Sequence, residues 1–366
     1  MKAVVLHDYE RGPSVEDVTI DAPRPGEVSV RIAASGVCGS DLHLVHGRSN
    51  AAFLPAVLGH EGAGVVDEIG AGVTNVEPGD RVIIPMGAPC GSCARCAGGQ
   101  GHLCESPGRT NRIRGRMADG TSRVHQGDVE LFPFVGCGTL AERVVVPAGQ
   151  LIVVPDDVPF EVAAISACGV YTGLGAVFNI AHVQPGATVL VVGCGGVGLS
   201  VVQGCRIAGA ARIIAVDANP AKLPLAAQVG ATDVIDASRE DLTDSVHALE
   251  PRGVDVAFEV VGKVELVAAA FELTRQGGVC IATAAYPPGS TLSISPQTLF
   301  WDRTLRGCLA GNGVPQRDIP RIMRLYRAGK LDLDVMVSAR LPLERVHDAL
   351  AAVERGAVAR AVVMFP

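Results

Sequence analysis

Cys90, Cys93, Cys96 and Cys104 follow the pattern C-x2-C-x2-C-x7-C within PCGSCARCAGGQGHLC. That spacing gathers four soft ligands in a small lobe and satisfies a closed, tetrahedral zinc site. An iron–sulfur cluster or a nucleic-acid knuckle shares part of the spacing. The net charge of −7 offers no basic footprint for nucleic acid, so structural zinc is the stronger reading. Upstream, GVCGSDLHLVHG packs Cys38, Ser40, Asp41 and His43 into six positions, and GHEGAG sets His60 and Glu61 before a strand-like run. A lone cysteine or histidine in a core is usually inert, whereas this density of donors is unusual.

A third constellation lies in the second half. The apolar run ATVLVVG reads as a strand buried on both faces, and GCGGVG supplies G-x-G-x-x-G through Gly193, Gly195 and Gly198. A helix, LSVVQGCRIAG, and a second buried strand, RIIAV, follow; Asp217 closes that strand 19 residues after Gly198. The first glycine permits a tight turn, the second admits a pyrophosphate, and the third lets helix pack on strand. The turn, with Gly196 and Val197 inside it, therefore points the free N–H groups of a helix N-terminus at phosphates. Asp217 can accept from both ribose hydroxyls and repels a 2′-phosphate, which predicts NAD.

Taken together these motifs resemble the zinc-dependent medium-chain alcohol dehydrogenases, specifically the longer branch that includes the formaldehyde dehydrogenases. The resemblance covers nearly the whole chain. It implies that Cys38, His60 and Cys168 (in ISACGVYTG) bind a catalytic zinc, while the later cysteine lobe holds a structural one, two zinc ions per subunit. Two thiolates and one imidazole leave a fourth position for water or substrate. It implies a proton relay through Ser40 and His43, with Asp41 orienting the histidine ligand and Glu61 as a buried acid close to the metal. Thr172 corresponds to a residue near the nicotinamide, Asn219 and Lys222 to adenosine-ribose contacts, and Arg360 to a pyrophosphate contact. Many relatives carry Arg or His after the first cysteine, where this chain has Gly39.

By the same correspondence Ser40, Met86, Phe134, Val135 and Leu309 line the substrate pocket, and they predict a roomy apolar one. The expected reaction is reversible NAD-dependent oxidation of a primary alcohol, allylic or aromatic, to its aldehyde. The alternatives are a formaldehyde dehydrogenase acting on a glutathione- or mycothiol-type adduct, and a catalytically silent protein on the same scaffold. The formaldehyde class holds its adduct with an arginine where this chain has Gly108; Arg109 is adjacent. The stretch RTNRIRGRMADGTSR, with Arg112, Arg114, Arg116 and Arg123, reads as a solvated surface loop dispensable for neutral alcohols.

The elements that must position these residues follow from the patterning. At 366 residues, 48% hydrophobic with 44 glycines, the chain has room for two packed domains. Short strand-like runs between Pro/Gly turns (VEDVTI, EVSVRIAA) indicate a β-rich first domain. From ATVLVVG onward, buried strands (DVIDA, GVDVAFEVVG, GGVCIATAA) alternate with helix-like segments such as VELVAAAFELTRQ, the signature of a doubly wound parallel sheet. LFWDRTLRGCLAGNG reads as closing strands, RDIPRIMRLYRAGKL and LERVHDALAAVERG as amphipathic helices, and ARAVVMF as a last strand. The expected fold is α/β: a Rossmann domain over 170–308 and a GroES-like catalytic domain over 1–169 and 309–366, with the zinc lobe near 90–104.

Val162 to Cys205 carries no Asp, Glu, Lys or Arg, yet its glycines, Asn179 and Pro185 suit buried sheet core rather than a membrane span. No signal peptide is evident, and eleven cysteines without one suggest reduced thiols or metal ligands in the cytoplasm. The expected partners are a small alcohol or aldehyde and a second copy of the chain, as a homodimer or a tetramer.

Overall fold

A computed structural model describes residues 1–49, 53–87 and 89–366. Among these residues the strands form three sheets. The first half builds a β-rich domain from two of them. In the larger, Ile152–Val153, Arg81–Ile84, Glu61–Ile69, Glu27–Val37, Arg360–Met364 and Val337–Pro342 lie side by side, and Arg143–Pro147 pairs with Glu27–Val37. Glu27–Val37 is the spine of this sheet, pairing antiparallel with three neighbours. Its inward residues Val28, Val30 and Ile32 alternate on one face, the period of two that a half-buried strand requires. The last strand closes the circle: Ala361 stands opposite Val37, so the C-terminal segment returns to the first domain.

The second domain is a parallel sheet ordered Asp233–Asp236, Arg212–Asp217, Thr188–Val192, Val254–Glu259, Thr274–Ala282, Thr304–Gly307. The strand order reverses beside Thr188–Val192, and α/β sheets bind their ligands at such a switch point. Gly196–Ala208 follows that strand and ends on Gly209, whose φ of 85° suits a glycine stop. The chain crosses between domains through the helix Gly169–Gly175, which continues as a π-helical turn over Ala176–Ala181. It crosses back through Ala310–Asn312. The crossings touch where Gly175 meets Gly311: a Cβ on Gly175 would stand 2.6 Å from the Gly311 Cα. Ala310 and Asn312 hold φ of 49° and 47°, a left-handed conformation that non-glycine residues rarely adopt.

The largest apolar core runs through both domains. It joins Ala63 and Ile83 of the mixed sheet to Val162 and Ile165, then Val170 and Leu174, and on to Val189, Val191 and Leu199.

Three local expectations are corrected. VELVAAAFELTRQ is helical only to Glu272, because Thr274 already opens the next strand. LFWDRTLRG is not all strand: Pro296–Phe300 is helical, capped by the Ser295 side chain, and pairing begins at Thr304. The arginine stretch contains the helix Pro107–Ile113, and it is not wholly solvated: Arg112 and Arg123 are buried.

Candidate active site

Cys38 stands where the Glu27–Val37 strand turns into the helix Gly39–Val45. Its N–H donates to Asp41 Oδ2 at 3.0 Å, and the Gly59 N–H donates to Asp41 Oδ1 at 3.1 Å. The His60 ring nitrogen Nδ1 lies 3.2 Å from the same Oδ1. One fully buried carboxylate thus fixes both the cysteine turn and the histidine. Cys168 comes from the other side, immediately before the helix Gly169–Gly175.

The ligand atoms of Cys38, His60, Glu61 and Cys168 all lie within 4.8 Å of one another. His60 Nε2 is buried and lacks a hydrogen-bond partner among the described residues. With Nδ1 turned to a carboxylate, Nε2 is the free lone pair, the arrangement that metal-bound histidines use. Two thiols and this imidazole fit a zinc ion with an open position. The Cys168 thiol, donating to Cys38, holds the Cys38 thiol well below its usual range despite burial. Burial pushes Glu61 up to about 7, against the opposing pull of Arg360.

The second cluster brings Cys90, Cys93, Cys96 and Cys104 together within the same 4.8 Å limit. Cys90 and Cys96 sulfurs are 3.9 Å apart, as are those of Cys93 and Cys104. A tetrahedron of sulfurs at about 2.3 Å from zinc has edges of about 3.8 Å, so the set fits. Backbone N–H groups of Ser92 and Cys93 aimed at the Cys90 sulfur bring its thiol down to about 6, which favours the thiolate that metal binding needs.

At the glycine turn, Gly193 has φ 110°, and a Cβ on Gly198 would overlap the Gly193 carbonyl oxygen. Among the described residues a Cβ at Gly195 would meet nothing within 4 Å, which leaves the N-terminus of Gly196–Ala208 open to a pyrophosphate, and the same holds of Gly39 at the start of its own helix. Val197 is half-buried in the helix's first turn. Asp217 accepts from the Cys194 N–H at 2.8 Å and the Asn219 N–H at 2.8 Å, and pairs with Lys222 at 3.3 Å. Asn219 donates to the Gly356 carbonyl. Gly196 and Gly169 pack on the Arg360 side chain, which also pairs with Glu61. Arg360 therefore touches the turn and the donor cluster at once, which is how the structure joins the two predicted sites.

Ser40 and His43 lie on the helix that starts beside Cys38. A cleft next to Cys168 is lined by Pro85, Met86, Tyr171, Thr172, Leu309 and Ala310, with His102 and Arg109 from the cysteine lobe. Met86, Leu309 and Thr172 thus share one cleft. Phe134 and Val135 are not in it: Phe134 is buried with its ring edge-on to His60, centroids 5.4 Å apart, and Val135 is buried in the core. The sequence reading missed Tyr171 and His102. Tyr171 sits one residue before Thr172 in a stretch read as buried sheet core, and nothing in its spacing marks it.

Comparison with known proteins places these features in context. Residues 24–156 match the family model described as the alcohol dehydrogenase GroES-like domain, and residues 196–328 that described as zinc-binding dehydrogenase. The chain is 36% identical to an alcohol dehydrogenase class-3 of Myxine glutinosa, covering 100% of this chain and 97% of the relative. Among solved structures, an alcohol dehydrogenase zinc-binding domain protein from Burkholderia ambifaria superposes with a TM-score of 0.94 at 34% identity, covering 100% and 98% of the two chains. Benzyl alcohol dehydrogenase from Acinetobacter calcoaceticus does so with 0.93 at 29% identity, covering 100% and 99%.

Proposed function

The chain belongs to the zinc-dependent medium-chain alcohol dehydrogenase family and is an oxidoreductase, and from that premise we propose that it oxidises a primary alcohol, allylic or aromatic, reversibly to its aldehyde with NAD. The observation that carries the reading is the meeting of Cys38, His60 and Cys168 beside the glycine turn, bridged by Arg360. In this reading those three residues hold the catalytic zinc, and Cys90, Cys93, Cys96 and Cys104 hold a structural zinc. Gly193 to Gly198, Asp217, Asn219, Lys222, Thr172 and Arg360 hold NAD.

When bound, zinc supplies a Lewis acid for the alcohol oxygen and NAD a hydride acceptor. The protein's part is to orient and to move a proton. Asp41 fixes the His60 tautomer, and Ser40 and His43 pass the hydroxyl proton toward solvent. The apolar cleft of Met86, Leu309 and Thr172 seats the carbon chain. Asp217 offers a negative charge where NADP would place its phosphate.

We assign residues 1–169 and 309–366 to the catalytic domain and 170–308 to the nucleotide domain. Supporting this, the parallel sheet begins at Thr188 and ends at Gly307, and Arg360–Met364 pairs with Glu27–Val37. The chain forms a homodimer in this reading, through the edge strand Thr304–Gly307 and its exposed neighbours Phe300 and Trp301. Eleven unbridged cysteines suit a reducing cytoplasm.

The test is purified protein assayed for zinc and for benzyl alcohol oxidation with NAD and NADP. Two zinc ions, NAD preference and loss of turnover in Cys38→Ser are expected; undiminished turnover in that variant refutes the metal assignment. A second reading, oxidation of an anionic thiol adduct, is favoured by one observation: Arg109 and His102 line the cleft. Formaldehyde oxidation that requires added glutathione or mycothiol would select it.

A further inference from the structure

Arg112 is the most unusual charge in the molecule outside the site. It is 6% exposed and no carboxylate pairs with it among the described residues. Its Nη1 donates to Met117 Sδ at 2.8 Å, and its Nη2 donates to the Gly136 carbonyl and to Gln150 Oε1, the latter at 3.0 Å. Nε has no partner among the described residues. A cation buried against neutral acceptors alone is costly to desolvate, so such a site is kept only where its geometry is used. Burial lowers the pKa of Arg112 to about 10, so the guanidinium stays charged at neutral pH.

Its partner Gln150 is fully buried and donates through Nε2 to the Pro85 carbonyl at 2.8 Å. That carbonyl belongs to the peptide unit joining Pro85 to Met86, and Pro85, Met86 and Gly87 line the cleft beside Cys168. At the other end, Gly136 follows Phe134, whose ring rests on His60, and Val135, held at φ 45°. Gly136 itself presses on the helix carrying Arg112: a Cβ there would strike the Arg112 carbonyl. A single planar fork and one amide therefore tie the wall of the cleft to the turn that backs the histidine. Arginine suits this because its donors diverge in fixed directions and a lysine's do not.

We propose that Arg112 and Gln150 form a buried clamp that positions Pro85–Gly87 against Phe134–Cys137 and thereby sets which alcohols fit. The clamp rests on the reading of the cleft as the alcohol site. It acts through Met86, which lines the cleft, and through Phe134, which rests on His60, and touches neither substrate nor cofactor, so it is a positioning pair. It stands against the expectation that this arginine is dispensable for neutral alcohols.

The experiment uses Arg112→Met, which removes the fork, and Gln150→Glu. The second keeps an acceptor for Arg112 and supplies a counter-charge, but it loses the donor to the Pro85 carbonyl. Each zinc-loaded variant is assayed with benzyl alcohol and ethanol, alongside zinc content and thermal unfolding. In both variants KM for benzyl alcohol is expected to rise about tenfold, with kcat for ethanol within about twofold, the scale of a pocket altered by a methylene or two. An unchanged benzyl-to-ethanol ratio of kcat/KM in a folded variant overturns the proposal. So does failure of both variants to fold, which would mark the pair as framework alone. Wild-type protein that turns over neither alcohol would sink the reading of the site instead.

Discussion

Arg360, on the last strand, pairs with Glu61, the residue after His60, and both side chains are buried. This contact links the donor cluster to the nucleotide turn, because Arg360 also packs on Gly196. Removing one member of a buried pair costs up to about 3–5 kcal/mol, and less where the other can neutralise, as Glu61 can by taking a proton. Arg360→Met is therefore expected to lower unfolding free energy by up to that order and to weaken NAD binding. Urea unfolding and nucleotide titration check both. The double variant Arg360→Met/Glu61→Gln should recover part of the stability and none of the affinity; recovery of neither would mean the pair does not couple the sites.

His43 is half-buried, and that burial, aided by Arg48 and His46, holds its imidazole below its ordinary value despite the pull of Cys38. A lowered value keeps the ring neutral, and so able to accept a proton, at pH 7. Activity should fall only as pH drops through that value. Arg48→Ala removes a repelling charge, raises the value and should move the acid limb of the kcat profile to higher pH. His43→Ala should abolish that limb and slow alcohol oxidation by about tenfold or more. A limb unmoved in both variants would remove His43 from the relay.

The cysteine lobe reaches the cleft through Gly101, His102 and Arg109. Loss of its metal should consequently disturb binding as well as stability. Cys93→Ser is expected to retain about one zinc per chain, to unfold at lower temperature, and to show a raised KM. Metal analysis with calorimetry and kinetics decides it; a wild-type KM with one zinc would confine the lobe to a framework role.

Asp217 already accepts two N–H groups and pairs with Lys222. Asp217→Ser removes the repelling charge and leaves Lys222 free to meet a phosphate. The ratio of kcat/KM for NADP over NAD should rise at least about tenfold, roughly 1.4 kcal/mol. An unchanged ratio would place nucleotide choice elsewhere.

The sequence made the donors and the turn readable because each is short and dense: four cysteines in 15 positions, or three glycines between two buried strands. The strand order and the pairing of Arg360–Met364 with Glu27–Val37 come from the structure; a doubly wound parallel sheet and a last strand in ARAVVMF were expected from the patterning. Arg112 was not, because a cation in a polar run looks solvated. Its burial depends on Gln150 and Gly136, 38 and 24 residues away, and no local period encodes such distances. The Pro296–Phe300 helix was hidden by aromatic residues that favour strands, although Ser295-Pro296 is a helix-start signal. Phe134 and Val135 were assigned by correspondence alone; the structure places Phe134 against the histidine rather than in the cleft.

One apolar cluster runs from Ala63 to Val191 through the helix Phe160–Ile165 before Cys168 and the helix Gly169–Gly175 after it. Because both domains share that cluster, heat should melt the chain as a single object. A scan of the zinc-replete protein would then give one endotherm whose calorimetric and van't Hoff enthalpies agree. Cutting the chain between its halves would yield two fragments, each with a raw apolar wound.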